Sequence, residues 1–210
     1  MSPTDLSQLA EQLEHLSQLS VEFDPSVTLL DLFKRNDPRF DERIPAAVCV
    51  LFQGPSVLES RVLLTLRSNQ VATHAGQVAF PGGSLDPADD SDFVRAALRE
   101  CHEEVGIRPE WICPHGAWSE FPTLGGHFTV RPVLASLSQP VHELSLQADE
   151  VVAAEWVSVR SLLQSQEFEE RSIFGHVVKA PVFWWGSHRM WGLSAWIFHS
   201  IVLRYANLKS

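Results

Sequence analysis

At 210 residues, with 45% of them hydrophobic, the chain is long for one ordinary domain and short for two, and it has enough apolar side chains for a substantial core. A formal net charge of −10 and a pI near 5.3 exclude electrostatic capture of a nucleic-acid backbone, which needs a basic surface. Cys49, Cys101 and Cys113 have neither CxxC spacing nor a neighbouring His pattern, so they read as free thiols of a reducing cytoplasm rather than as a zinc site or disulfide framework.

The N-terminus, MSPTDLSQLAEQLEHLSQ, is polar and acidic and carries no export signal. Leu6, Leu9, Leu13, Leu16 and Leu19 recur every three to four residues, predicting an amphipathic helix over 4–20, and a second short helix is expected over 27–35. The charged, Pro-bounded NDPRFDERIP marks a linker, which divides the chain into a helical extension, 1–42, and a main domain, 43–210. AAVCVLF (46–52) and RVLLTLR (61–67) read as neighbouring strands joined by the turn QGPSVLES, and QVAF (77–80) as a short strand running into PGG. A helix is expected over 91–105, with Asp89, Asp90 or Ser91 as N-cap and Gly106 and Pro109 as its stop. Its core stripe is Val94, Ala97, Leu98, Cys101 and Val105. Strands are expected at 126–137, 151–159 and 176–185, a short helix follows 159, and a closing helix spans 191–206. Its apolar stretch WGLSAWIFHSIVL, thirteen residues with a His inside, is well short of the roughly 20 that span a bilayer, so no membrane partner is expected. The pattern is that of a mixed α/β (α+β type) domain, a central sheet flanked by helices.

Charge is concentrated in one place. Seven acids and two arginines in residues 86–104 supply half of the chain's net charge. On the predicted helix, Glu100, Glu103 and Glu104 fall three and four residues apart, where carboxylates share a face and repel. A solvated acidic face is one reading of such a run. The other is a site for a hard dication, Mg²⁺ or Mn²⁺, which favours carboxylate and water oxygens. Gly82 and Gly83, just ahead of the acidic loop, favour the second, because glycines let backbone and ligand approach closely.

In Gly83, Arg99, Glu100, Cys101, Glu103, Glu104, Gly106 and Ile107 the chain resembles the Nudix hydrolases, whose signature is GX5EX7REUXEEXGU with U a bulky apolar residue. The first acid is out of register: counting forward from Gly83 reaches Asp89, with nine residues rather than seven before Arg99, which a two-residue insertion and an Asp for Glu reconcile. Upstream, LLTLRSNQVATHAGQVAFPGG is similar to the motif LLTxR(S/A)x3Rx3Gx3FPGG of the coenzyme A pyrophosphatase branch, with Ala72 where the motif has its second arginine. The resemblance covers about residues 45 to 205. It implies a Nudix-like α/β/α sandwich, an Mg²⁺ or Mn²⁺ cofactor, and cleavage of coenzyme A or its thioesters to adenosine 3′,5′-bisphosphate and 4′-phosphopantetheine products.

The metal ligands expected on this basis are Glu100, Glu103, Glu104 and the Gly83 carbonyl. Arg99 is expected to orient Glu103 or the loop acids, and Arg67, at a strand end, to meet a substrate phosphate. Gly82 and His74 are further candidates for substrate contact. Glu150 is the preferred general base, with Glu143 and Asp149 as alternatives in the same loop. Trp118, Phe121 and His127 are expected near a loop that meets the substrate or packs its rim. Trp184, Trp185, Trp191 and Trp196 are expected to pack the closing helix on the sheet. Alternative substrates are ADP-ribose, dinucleotides or nucleoside triphosphates, and a non-catalytic nucleotide-binding module is a third reading, which retention of all three helix carboxylates disfavours. Many relatives of this kind are dimers, so a homodimer through the N-terminal helices is also an expectation.

Overall fold

The computed structural model describes residues 3–18, 25–68, 76–124 and 127–208. Eleven strands and five α-helices are formed among them. At the centre, β1 (Ile44–Gln53) pairs in parallel with β7 (Phe128–Leu137) over nine registered positions, from Ile44↔Phe128 to Phe52↔Ser136. On the other side β1 meets β2 (Arg61–Arg67) antiparallel, as the short turn between two apolar runs predicts. The sheet continues through β3 (Val78–Ala79) and β8 (Val151–Ser158) on β2, β4 (Gly82–Ser84) on β1, and β5 (Ile112–Ala117) and β6 (Phe121–Pro122) on β7. A separate three-stranded sheet is built from β9 (Glu167–Ile173), β10 (His176–Trp185) and β11 (His188–Met190).

The strand period of two sorts the core into two layers. Ala47, Cys49 and Leu51 of β1 face α3 (Phe93–Val105), whereas Val50 and Phe52 join α1 (Pro3–Gln18) and α5 (Gly192–Leu208) on the opposite face. On β2, Leu63 goes to the first layer and Val62 and Leu64 to the second. The mixed sheet between helices is therefore the architecture expected from sequence. In α1, Leu9, Leu13 and Leu16 are fully buried in the same cluster as the sheet. Each such leucine contributes roughly 1.5–3 kcal/mol by leaving water. α2 (Pro25–Asn36) leads into the predicted linker, where Arg43 anchors the chain. Its guanidinium donates to Asp37 at 2.8 Å and to the carbonyls of Thr123 and Phe128 at 3.2 and 2.9 Å, and lies over the Phe33 ring.

α5 is seated by Ala195, Ile197, Phe198, Ile201 and Tyr205, and of the four late tryptophans Trp185 and Trp196 are half-buried and pack against the same cluster as expected, whereas Trp191 is exposed. One expectation needs correction. The cap of α3 is Asp92, whose carboxylate accepts from Val94 N at 2.8 Å, rather than Asp89, Asp90 or Ser91. After α4 (Val159–Gln164), β9 is absent from the sequence reading, because EFEERSI exposes nearly every side chain and has no apolar alternation to betray it. No described helix is long and apolar enough to cross a membrane.

Candidate active site

α3 carries the acidic ridge, and its local chemistry fixes where the ridge points. Ala96, Ala97, Cys101 and Val105 are buried against β1, with Val94 and Leu98 half-buried at the margins of the stripe. Gly106 ends the helix at φ +74°, a left-handed conformation that favours glycine, and a Cβ there would meet the Ser145 Cβ at 2.7 Å. The loop carrying Ser145 is tied to the helix end by Ser145 N donating to Val105 O at 3.0 Å and Gln147 N to Glu104 O at 3.1 Å. It continues to Glu150, whose carbonyl accepts from Ser68 N at 2.7 Å.

Gly82 and Gly83 lie on β4, paired with Val48 and Ala47 of β1. Close approach is required at both. A Cβ on Gly82 would sit 2.7 Å from Val48 Cα, and one on Gly83 would sit 2.6 Å from the carboxyl carbon of Glu100. A side chain at position 83 would therefore displace the Glu100 carboxylate.

Arg99 organises the outer side of the ridge. It donates to Asp89 through Nε at 3.2 Å and Nη2 at 3.0 Å, to Glu100 and Glu103 through Nη1 at 2.8 Å each, and to Ser84 O at 3.1 Å. Asp89 is 3% exposed, and the Arg99 guanidinium holds its carboxyl below the usual range in spite of burial. This contact settles the register of the signature loop. Asp89 reaches Arg99 although nine residues separate them, because Asp90 and Ser91 take left-handed φ of 52° and 62° and absorb the two extra residues before Asp92 opens the helix. Left-handed backbone at a non-glycine pair leaves no mark in composition, so the sequence alone cannot locate the insertion.

The inner side differs. Glu104 is 1% exposed; one oxygen accepts from Arg67 Nη1 at 3.2 Å and the other, Oε2, is buried with no hydrogen-bond partner among the described residues. Burial pushes its pKa up to about 7; Arg67 opposes this, and Glu100 and Glu150 add to it. The Glu100 carboxyl is also raised, chiefly by burial, with Arg99 opposing and Glu103 and Glu150 adding. Helix and loop thus bring Glu100, Glu104 and Glu150 within mutual electrostatic reach, whereas Glu143 and Asp149 are exposed. Glu103 is half-exposed and held by Arg99. His74 lies outside the described residues.

Burying carboxylates side by side with one oxygen unpaired is costly unless a cation compensates. Among the described residues no three acidic, His or Cys side chains close into a metal cage. An open set matches a hard ion that keeps waters and takes one or two carboxylates together with substrate phosphates. The orphaned oxygen of Glu104 and the tight Gly83–Glu100 approach fit such an ion.

A cleft of about 680 Å³ lies beside this position, and the ridge carboxylates are not among its lining. Arg67, Gly82 and Gly83 line one part of it; β9, β11 and the start of α5 supply Arg171, Arg189, Trp191 and Trp196 elsewhere along its wall. Arg171 and Arg189 are missing from the sequence reading along with β9, whereas Trp191 and Trp196 are in it as residues of the closing helix. Trp118 and Phe121, in contrast, are core residues, 4% and 1% exposed, and His127 is exposed on the surface.

Comparison with known proteins agrees with this geometry. The NUDIX domain model matches residues 42–176. The mouse "Mitochondrial coenzyme A diphosphatase NUDT8" is 36% identical over 174 residues, covering 78% of this chain and 80% of its own. A protein described as "Uncharacterized Nudix hydrolase NudL" from an Enterobacter species is 33% identical over 145 residues, covering 68% and 74%. Among solved structures, the MutT protein from Methanosarcina mazei Go1 superposes with a TM-score of 0.51 at 19% identity, over 80% of this chain and 95% of that one, which is a likeness of fold.

Proposed function

The chain belongs to the Nudix family and is a pyrophosphohydrolase, and from that premise we propose that it cleaves the diphosphate of coenzyme A or acyl-coenzyme A, releasing adenosine 3′,5′-bisphosphate and 4′-phosphopantetheine or its acyl form. Proteins of this family act on small diphosphate substrates and generally use divalent metal ions. The observation that carries the reading is the buried oxygen of Glu104 with no hydrogen-bond partner among the described residues, on a carboxylate that Arg67, a residue of the cleft wall, holds at 3.2 Å. The choice of substrate is supported by the name of the mouse relative and by the LLTLRS…FPGG segment.

In this reading Glu100, Glu103, Glu104 and the Gly83 carbonyl hold Mg²⁺ or Mn²⁺. Bound there, the ion supplies charge neutralisation on the diphosphate oxygens. Arg99 is a positioning residue that fixes the rotamers of Glu100 and Glu103. Arg67 spends one nitrogen on Glu104, leaving the rest of its fork for a substrate phosphate. Glu150 takes a proton from water at a carboxylate oxygen; the water oxygen bonds to one phosphorus as the bridging P–O bond breaks, and the second phosphate leaves with the bridging oxygen. Residues 43–210 carry the reaction, and α1 of the preceding extension braces the sheet through Leu9, Leu13 and Leu16. Three free cysteines, two of them buried, support a reducing cytoplasm as the compartment.

Mass spectrometry of the products after incubation with coenzyme A and Mn²⁺ tests the reading. Adenosine 3′,5′-bisphosphate and 4′-phosphopantetheine are the expected pair. Turnover of coenzyme A no faster than that of ADP-ribose contradicts the substrate assignment.

A further inference from the structure

The wall of the cleft also carries a cationic group outside the signature. Arg171 on β9 and Arg189 on β11 both donate through Nη2 to Glu169, Arg171 at 2.8 Å, and their guanidinium carbons lie 5.7 and 5.6 Å from the Trp191 ring centroid. Glu169, Arg171, Arg189 and Trp191 all line the cleft. One carboxylate against two guanidiniums leaves a net positive charge, in a chain whose formal net charge is −10. Nε and Nη1 of both arginines find no acceptor among the described residues. An indole contact and a shared carboxylate hold the two forks in place without exhausting their donors.

We propose that Arg171 and Arg189, positioned by Glu169 and Trp191, bind a second phosphate of the substrate, a monoester separate from the diphosphate that is cleaved. On the reading given under Proposed function, on which this rests, that group is the 3′-phosphate of the adenosine moiety. Guanidinium forks on one part of the cleft wall also orient an asymmetric substrate, since they attract a dianionic monoester, while Glu100 and Glu104 lie behind Gly83 and Arg67 on another part.

The test compares adenosine 3′,5′-bisphosphate with adenosine 5′-monophosphate by isothermal titration on the full chain, alongside hydrolysis of coenzyme A and 3′-dephospho-coenzyme A. Wild type is expected to bind the bisphosphate at least about ten-fold more tightly, and Arg171→Gln and Arg189→Gln each to erase most of that preference. Trp191→Ala loosens both forks and erodes it; Trp191→Phe keeps a ring face and retains it. Arg171 is substantially exposed, so its replacement opens no cavity, and affinity for the monophosphate reports on the integrity of each variant. Equal affinity of wild type for the two nucleotides, or a preference that survives both arginine variants, overturns the proposal. If coenzyme A is not hydrolysed while the preference exists and is lost in the variants, this site stands and the coenzyme A reading falls. If coenzyme A is hydrolysed no faster than its 3′-dephospho form in wild type and the binding preference is absent, the reverse holds.

Discussion

Glu103 and Glu104 are adjacent on one helix, yet they occupy opposite environments. Glu103 sits half-exposed on the outer side, held at 2.8 Å by an arginine that also serves Asp89, Glu100 and a backbone carbonyl. Glu104 sits on the inner side, 1% exposed, with one side-chain ion pair, to Arg67, the Gly82 backbone N–H nearby, and an oxygen that has no hydrogen-bond partner among the described residues. The outer side is electrostatically complete as it stands and the inner side is not. An incomplete buried carboxylate is maintained against its own desolvation cost, and that is the mark of a group kept for a ligand rather than for stability.

The largest effect is therefore expected at Glu104. Glu104→Gln keeps the volume and removes the charge, and turnover should fall roughly a thousand-fold, as several kcal/mol of charge stabilisation is lost with it. The same variant reports on stability. Because the folded-state pKa is raised from 4.5 to about 7, the native state holds the proton more firmly than the unfolded chain, and the contribution is present below about 4.5 and lost as pH rises through about 7. In chelator, wild type should lose on the order of 3 kcal/mol relative to Glu104→Gln across that window, measured by denaturant unfolding at fixed pH values. A wild-type curve parallel to that of the variant breaks the contrast between the two sides.

Gly83→Ala follows. Its Cβ would lie 2.6 Å from the Glu100 carboxyl carbon, and the displaced carboxylate should cost about a hundred-fold in kcat, with little change in the far-ultraviolet spectrum. Arg99→Ala acts on the outer side and leaves Asp89 buried without its partner. It should lower the unfolding free energy by about 3 kcal/mol and activity by roughly 10- to 100-fold, a mixed result that Glu104→Gln does not give. Smallest is Glu103→Gln, expected to cost about ten-fold, since the half-exposed side chain keeps an oxygen for Arg99. A Glu103 variant as damaged as the Glu104 variant removes the distinction between the sides.

The sequence carries the layered sheet clearly, because β1 and β2 are continuous apolar runs and Ala97, Cys101 and Val105 repeat at helical spacing. It also carries the acidic ridge. It does not say which ridge carboxylate is buried, since that depends on Arg67 and the Glu150 loop arriving from distant strands. Asp89 is reached by counting forward from Gly83, but where the two extra residues are absorbed shows only in the left-handed Asp90 and Ser91. Arg171 and Arg189 stay hidden because β9 is polar and largely exposed and β11 is only three residues long, and Trp191 is legible as a late tryptophan but not as part of a cleft wall.

The most direct measurement of the central claim is a titration of Mn²⁺ into wild type and Glu104→Gln at pH 6.5, in two buffers of different ionisation enthalpy. With a Glu104 pKa of about 7, most wild-type molecules carry a proton on that buried carboxylate, so binding should expel roughly three-quarters of a proton more than in the variant, with affinity at least ten-fold higher. Equal affinity and equal proton release in the two proteins would contradict the account, because Glu104 would then hold no cation.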